Sequence, residues 1–400
     1  MIVILCGSGI GFPNGLAPTG RVTAYSQGLL QTGSRVWVLC LGTSEIPAIG
    51  VHNTEFKGTD AGVDFEYTCG TPIRGETFPK RRWLAFKGPL VAAWRVLSRS
   101  RNEKIEALIL YPDTLFTAIL FWLVARLSGA VFLLEKGERP FLQAEYSLAW
   151  RLYGFFYIRT IFKLFDGAIV ISEYLERYIH KYMRSGTRTL RIPILVDVSK
   201  FSESNQKPLP PARYITYCGT LNEAKDGVLT LMRAFALIKD NFEDVSLCLV
   251  GDTYHKSQMP AFRQHAEALG ITRRVVFTGN VSRDRLSSYL CQAEILALAR
   301  PSSLQAEAGF SSKLGEYLAT GNPVVITRTG EIENYLNDGE SAYLVPPNDM
   351  QAFAQRLHHV LSHPDQARAV GQNGRLVAIS KFDYRTNALR LQEYIHSLQR

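Results

Sequence analysis

Apolar positions along the chain follow two alternating rhythms. The short runs "MIVILC", "RVWVLCL", "EALILY", "AVFLLE" and "GAIVIS" are almost continuously apolar and read as buried strands. Between them, apolar residues recur at helical spacing, as Val22, Tyr25 and Leu29 do within a helix predicted over 20–31. The pattern restarts at "YITYCGT". A helix over 226–239 follows, with Leu229, Met232, Phe235 and Ala236 on one face, and then the strands "SLCLVGD", "VVFTGN", "ILALA", "PVVIT" and "AYLV", each separated by a helix. Such alternation predicts an α/β chain of two doubly wound parallel sheets with helices on both faces. The polar, proline-bearing stretch "SESNQKPLPPARY" is the natural linker. The predicted division is therefore a domain over 1–201, a linker over 202–213 and a second domain over 214–380. A last helical segment within 381–400 would pack back on the first domain. Sheets of this kind bind ligands at the carboxyl ends of their strands, so two facing one another would form a cleft.

Composition narrows the class. The 400 residues are 46% hydrophobic and 20% charged, which suits two packed cores and excludes a disordered chain. The first strand has too short an apolar run and no basic flank for a secretory signal. The longest apolar stretch, Leu115 to Ala125, is well short of a bilayer span. The six cysteines show no Cys-x-x-Cys pairing and fall mostly in strand runs, as buried thiols in a reducing cytosol would. Charge is uneven. Residues 1–200 carry 24 Lys and Arg against 16 Asp and Glu, which accounts for nearly all of the net +9. The first half is thus expected to meet something anionic.

Two loops carry candidate chemistry. In "GFSSKLGEYLATGNPVVIT", a loop follows the strand "ILALA" and a helix begins near Lys313, with Ser312 as its N-cap and Gly321 as its stop. Its apolar face is Leu314, Tyr317 and Leu318, while Lys313 and Glu316 share another. Free N–H groups and positive dipole at its start suit a phosphate, and a carboxylate one turn in suits a pair of ribose hydroxyls. The alternative is a capped surface helix bearing a Lys–Glu pair. In "YCGTLNEAKDG", Gly219 lets backbone approach a ligand and Lys225 stands at the start of the next helix, where a cation opposes the dipole. That mild cost favours a functional role over a solvated lysine.

The run from Gly309 to Asp349 resembles the nucleotide-binding segment of the retaining glycosyltransferases of family 4, which have the GT-B fold. "YCGTLNEAKDG" is similar to that family's Gly-Arg-Leu…Lys-Gly loop, and "VVFTGNVSRDRLSSYL" to its strand before the base-binding turn. "FDGAIVISEYLERYI" and "IPILVDVSKF" look like its segments closing the first domain. The likeness covers most of the second half and is looser in the first. It implies that Glu316 binds the ribose of a nucleoside-diphosphate sugar and that Lys225 contacts the diphosphate. Gly219, Thr220, Ser311, Ser312 and Leu314 would line the donor, Asn280 and Val281 would lie near the base, and Gly15 would approach the donor phosphates or the acceptor.

Three departures from the family pattern stand out. The glutamate eight residues before Glu316 is Ala308 here, with Glu307 adjacent. The arginine after the glycine is Thr220, a lost cation that Arg300 or Lys313 would replace. A first-domain histidine has no counterpart between His52 and His180. The corresponding strand end reads "LLEKGERPF", where Glu135 and Glu138 either meet the acceptor or are exposed loop carboxylates.

The resemblance implies a retaining, metal-independent glycosyltransferase of surface polysaccharide or lipid-linked glycan synthesis, cytoplasmic and peripheral at the inner membrane face. Its donor would be a UDP-sugar by default. No Asp-x-Asp triplet occurs in the chain. A sugar-nucleotide epimerase of the same architecture and a non-catalytic scaffold with a degenerate site are the alternatives. The opening "CGSGIGFPNG" fails the G-x-G-x-x-G spacing at Phe12, which argues against a dinucleotide cofactor. "KRRWLAFKGPLVAAWRVLSRSR" and "LAWRLYGFFYIRTIFKLF" interleave bases with aromatics. They suit an anionic membrane surface, or else are domain helices with a basic rim. No nucleic-acid-binding module is present.

Overall fold

The structure, a computed structural model, describes residues 1–48, 50–111, 114–138, 148–201, 209 and 211–399. Most of the predicted linker lies outside the described residues. The chain divides into two units, Met1–Leu195 with the stretch from Tyr384, and Val196–Asp383. The division falls after Leu195, ahead of the predicted linker, because Val196 N–H donates to the Phe382 carbonyl at 2.9 Å and ties that segment to the second unit.

The first unit contains β1 (Ile2–Cys6), α1 (Ala17–Gln31), β2 (Val36–Cys40), β3 (Lys57–Asp60), β4 (Val63–Tyr67), α2 (Phe78–Ser100), β5 (Ala107–Tyr111), α3 (Leu115–Ser128), β6 (Val131–Lys136), α4 (Leu148–Ile161), β7 (Gly167–Val170), α5 (Glu173–His180) and β8 (Arg188–Arg191). Its strands lie in the order β3-β4-β2-β1-β5-β6-β7-β8. Every pairing is parallel except β3 with β4, a hairpin the sequence reading did not include. Residues of β3 are largely exposed, so the burial signal that marks the central strands is missing there. β1 pairs on one side with β2 and on the other with β5, which makes it the point where chain direction reverses. Right-handed crossovers therefore put α1 on one face of the sheet and α2, α3 and α4 on the other. Within α2, Gly88 packs so tightly that a Cβ would sit 1.9 Å from the Leu41 carbonyl oxygen.

The second unit contains β9 (Arg213–Cys218), α6 (Glu223–Asp226), α7 (Val228–Ile238), β10 (Val245–Val250), α8 (Met259–Ala268), β11 (Val275–Gly279), α9 (Arg283–Cys291), β12 (Ile295–Leu298), α10 (Leu304–Ala308), α11 (Ser312–Thr320), β13 (Val324–Thr327), β14 (Tyr343–Val345), α12 (Met350–Ser362) and α13 (Pro364–Val377). Its sheet runs β11-β10-β9-β12-β13-β14 and is parallel throughout. β9 sits between β10 and β12, so the reversal point lies between β9 and β12. The loops after these two strands, at Gly219 and at Arg300, are where a doubly wound sheet opens a crevice.

The last helix, α14 (Tyr384–Leu398), packs on α1 in the first unit. A Cβ on Gly28 would lie 2.4 Å from that of Ala388, so the two helices touch backbone to side chain at that point. Leu391, Tyr394 and Ile395 join Ile2, Ile4, Val36 and Val38 in one core. The Tyr394 hydroxyl accepts from the Ala168 N–H at 3.1 Å.

Candidate functional site

In the second unit, the ends of three strands converge through glycines. Gly219 follows β9 with φ +139°, Gly251 follows β10 with φ +132°, and Gly279 ends β11 with φ +65°. Gly219 N–H donates to the Val250 carbonyl at 2.8 Å, and Gly251 N–H to the Gly279 carbonyl at 3.1 Å. A Cβ on Gly251 would lie 2.1 Å from the Gly219 carbonyl oxygen, so only glycine allows this approach.

The bare Cα of Gly219 also makes room for Lys313. A Cβ there would sit 2.2 Å from Lys313 Cε. The lysine side chain thus lies across the end of β9, and its Nζ is 3.0 Å from Asp226 Oδ2. Asp226 is 2% exposed, and the same oxygen is 2.9 Å from the Tyr217 hydroxyl. Burial and the Asp226 charge push the Tyr217 phenol far above its ordinary value, so it stays a neutral donor. Asp226 was not singled out in the sequence. It sits in a polar loop, and nothing in its spacing signals that α6 turns it inward.

The helix α11 begins at Ser312, with Ser311 rather than Ser312 as N-cap. The Ser311 side chain makes no capping hydrogen bond, but its carbonyl takes the Leu314 N–H at 3.1 Å, which leaves the N–H groups of Ser312 and Lys313 for another acceptor. Gly321 closes the helix with φ +80°. Glu316, one turn in, is half-buried beside β9. Burial pushes the Cys218 thiol up and the Glu316 charge pushes it further, while Lys313 draws it down. Tyr317 anchors the helix to the strand through its hydroxyl, which accepts from Cys218 N–H at 2.7 Å. Leu314 is fully buried and its N–H is already bonded to the Ser311 carbonyl, so the expected donor contact there is not presented.

The other expected cations differ in setting. Arg300, after β12, is only 7% exposed, and its Nη2 lies 3.5 Å from the Gln305 carbonyl. Lys225 is exposed and belongs to α6, a separate single turn, instead of opening the long helix α7. Thr220 and Asn280 are exposed and Val281 is half-buried. Ala308 is buried, and the adjacent Glu307 faces solvent with Oε1 3.4 Å from the Gly330 N–H. Among the described residues no cluster of three His, Cys, Asp or Glu side chains is arranged to hold a metal ion.

In the first unit, Gly15 is exposed in the loop before α1. That loop is held by buried groups that sequence reasoning missed. Asn14 N–H donates to Asn53 Oδ1 at 3.0 Å, and Asn53 Nδ2 donates to Glu45 Oε1 at 2.5 Å. Burial alone would raise the Glu45 carboxyl, but donation from His52 N–H, Asn53 and Ser44 outweighs it and holds the group below its ordinary value. Glu135 is no loop carboxylate. It is 2% exposed within β6 and pairs with Arg21 Nε at 2.5 Å. Arg21 also donates to the Ile192 and Pro193 carbonyls. Burial raises the Glu135 carboxyl while Arg21 pulls it back. That oxygen is committed to an ion pair and is not presented to an acceptor. Glu138, beyond the strand end, is exposed.

Two Rossmann-like doubly wound units in one chain are the layout of a GT-B fold. Over 99% of this chain and 98% of the other, the structure superposes on sucrose-phosphate synthase from Thermosynechococcus elongatus with TM-score 0.74 at 17% identity. Residues 212–363, most of the second unit, match the family model described as "Glycosyl transferases group 1". The GDP-mannose-dependent alpha-(1-6)-phosphatidylinositol monomannoside mannosyltransferase of Mycolicibacterium smegmatis is 27% identical over 240 residues, 58% of this chain and 62% of that protein. The MMP alpha-(1->4)-mannosyltransferase of Mycolicibacterium hassiacum is 33% identical over 163 residues, 40% of this chain and 38% of that protein. The chain thus spans about half the length of the curated relatives it matches.

Proposed function

We propose that this chain is a glycosyltransferase that moves a sugar from a nucleoside-diphosphate sugar to a glycan or lipid-linked acceptor with retention of configuration, the second unit holding the donor. The observation that carries this reading is the arrangement around Gly219. An ammonium fixed by a buried carboxylate, a helix start without a side-chain cap and a carboxylate one turn in stand together at the end of β9. A departing nucleoside diphosphate gains negative charge as the glycosidic bond breaks. Lys313 and the N–H groups of Ser312 and Lys313 would meet that charge without rearranging, and Lys225, exposed on α6, is a further candidate. Glu316 would accept hydrogen bonds from the ribose. The acceptor would be bound by the first unit, with Gly15 and Glu138 as its exposed candidates. The M. smegmatis relative is named for GDP-mannose, so guanosine and uridine donors both belong in the test.

The test is a thermal-shift panel of UDP- and GDP-sugars on the full chain and on Glu316→Ala. The expected result is that at least one donor raises the wild-type transition and that the variant, folded as well as wild type, loses the response. Equal responses from both proteins, or none from wild type, would overturn the assignment. Conversion of the nucleotide sugar without an acceptor would make the chain an epimerase instead.

A further inference from the structure

Three adjacent helices on one face of the first unit expose apolar stripes that no part of the described chain covers. On α2 the stripe is Trp83, Phe86, Leu90 and Trp94, between 39% and 61% exposed. Their spacing of three, four and four residues puts them along one side of the helix over about 16 Å. On α3 the same spacing recurs at Phe116, Ile119, Leu123 and Leu127, from 40% to 74% exposed. On α4 the stripe is Leu148, Leu152, Phe155 and Phe156, spaced by four, three and one residues and all at least 48% exposed. The stripes adjoin one another. Phe86 of α2 stacks on Phe116 of α3 with ring centroids 5.7 Å apart, and the Tyr153 hydroxyl of α4 accepts from Leu115 N–H at 3.2 Å. Soluble surfaces rarely carry contiguous apolar area on this scale without a partner.

Charge says which partner. The three helices contain no Asp or Glu, while α2 alone carries six Lys and Arg. Lys80 and Arg82 are exposed and Lys87 is half-buried, all on the same helix as the α2 stripe, and Arg82 lies over the Phe78 ring. Other bases on these helices are answered, Arg95 by Glu66 at 3.5 Å, Arg99 by Glu103 at 3.2 Å and, on α3, Arg126 by Asp166 at 2.6 Å. Tryptophan is placed in the same way. Trp83, Trp94 and Trp150 are each more than half exposed on this face. Exposed aromatic and aliphatic side chains flanked by uncompensated bases match the boundary of an anionic bilayer, where rings seat at the head groups and bases meet phosphates. No helix among the described residues is long and apolar enough to cross a membrane, so the helices would lie along the surface.

We propose that α2, α3 and α4 form one docking face for an anionic lipid bilayer. The proposal does not depend on the donor site, and its assay contains no nucleotide. The full chain is mixed with vesicles of phosphatidylcholine alone and of an equimolar mixture with phosphatidylglycerol, and bound protein is separated by flotation. The expected result is binding to the mixed vesicles, weakened by salt, with little binding to phosphatidylcholine. All five tryptophans lie in the first unit, three of them on this face, so brominated lipid should quench part of the intrinsic fluorescence. Trp83→Phe with Trp94→Phe, a conservative pair that keeps the apolar stripe, should bind but lose much of that quenching. Lys80→Gln, Arg82→Gln and Lys87→Gln together should lower partitioning at least about tenfold. Near-native ellipticity and thermal transition would show that each variant is folded. Equal partitioning of the charge variant and wild type would overturn the proposal. So would floating protein whose tryptophans are not quenched, or concentration-dependent self-association that hides the stripes without any lipid binding.

Discussion

Lys313→Met separates what the ammonium does for folding from what it does for a ligand. The Lys313 and Asp226 charges stand 3.0 Å apart, with the aspartate 2% and the lysine side chain 18% exposed. At an effective dielectric near 20 their attraction is about 5 kcal/mol before desolvation is counted. Removing one member of a buried pair costs about 3–5 kcal/mol because the other charge is left without compensation. Partial exposure of the lysine places this pair at the lower end, about 3 kcal/mol. For a unit of this size, that lowers the transition by roughly 6–12 °C. Asp226→Asn combined with Lys313→Met removes the stranded charge and should recover most of the loss, since a neutral amide can still bond to the Tyr217 hydroxyl. The second unit has no tryptophan, so calorimetry or far-ultraviolet ellipticity is the suitable probe. Donor-induced stabilisation, measured alongside, should vanish in Lys313→Met and stay absent in the double variant. Restored donor response in the double variant would refute the reasoning, because the lysine would then serve only to neutralise Asp226.

Two further outcomes test the first unit. Gly88→Ala drives a methyl into the Leu41 carbonyl, a backbone group that cannot swing aside, and should cost roughly 3 kcal/mol or more, seen as a lower urea midpoint of tryptophan fluorescence; an unchanged midpoint would show that α2 sits further from the sheet. The Glu45 carboxyl is held below its ordinary value near 4.5, so the unfolded chain takes up a proton at higher pH than the folded one. The resulting stabilisation is complete above about pH 4.5 and is lost as pH falls through the lower, folded value. Glu45→Gln should flatten the first unit's stability profile across that window, whereas parallel profiles would remove Glu45 from the account.

Local pattern alone determined the α/β class, the central strands and the helix that Gly321 stops. These depend on short-range rules: β-branched apolar runs bury on both faces, and glycine at a helix end relieves a left-handed residue. The stretch around Lys313 and Glu316 was legible for the same reason, since helical spacing alone sets one turn between them. Tertiary structure decided the rest. Asp226 becomes the partner of Lys313 only because Gly219 lets the lysine cross the strand end, a contact between residues 87 positions apart. Glu135 reads in sequence as an acceptor-binding or loop carboxylate, and its ion pair with Arg21, 114 positions away, exists only because the fold encloses both. The exposed stripes on α2, α3 and α4 have the spacing of core-facing helices, and periodicity says only that a face is apolar. Which face the sheet covers is a matter of crossover handedness and packing, and that left these three facing outward.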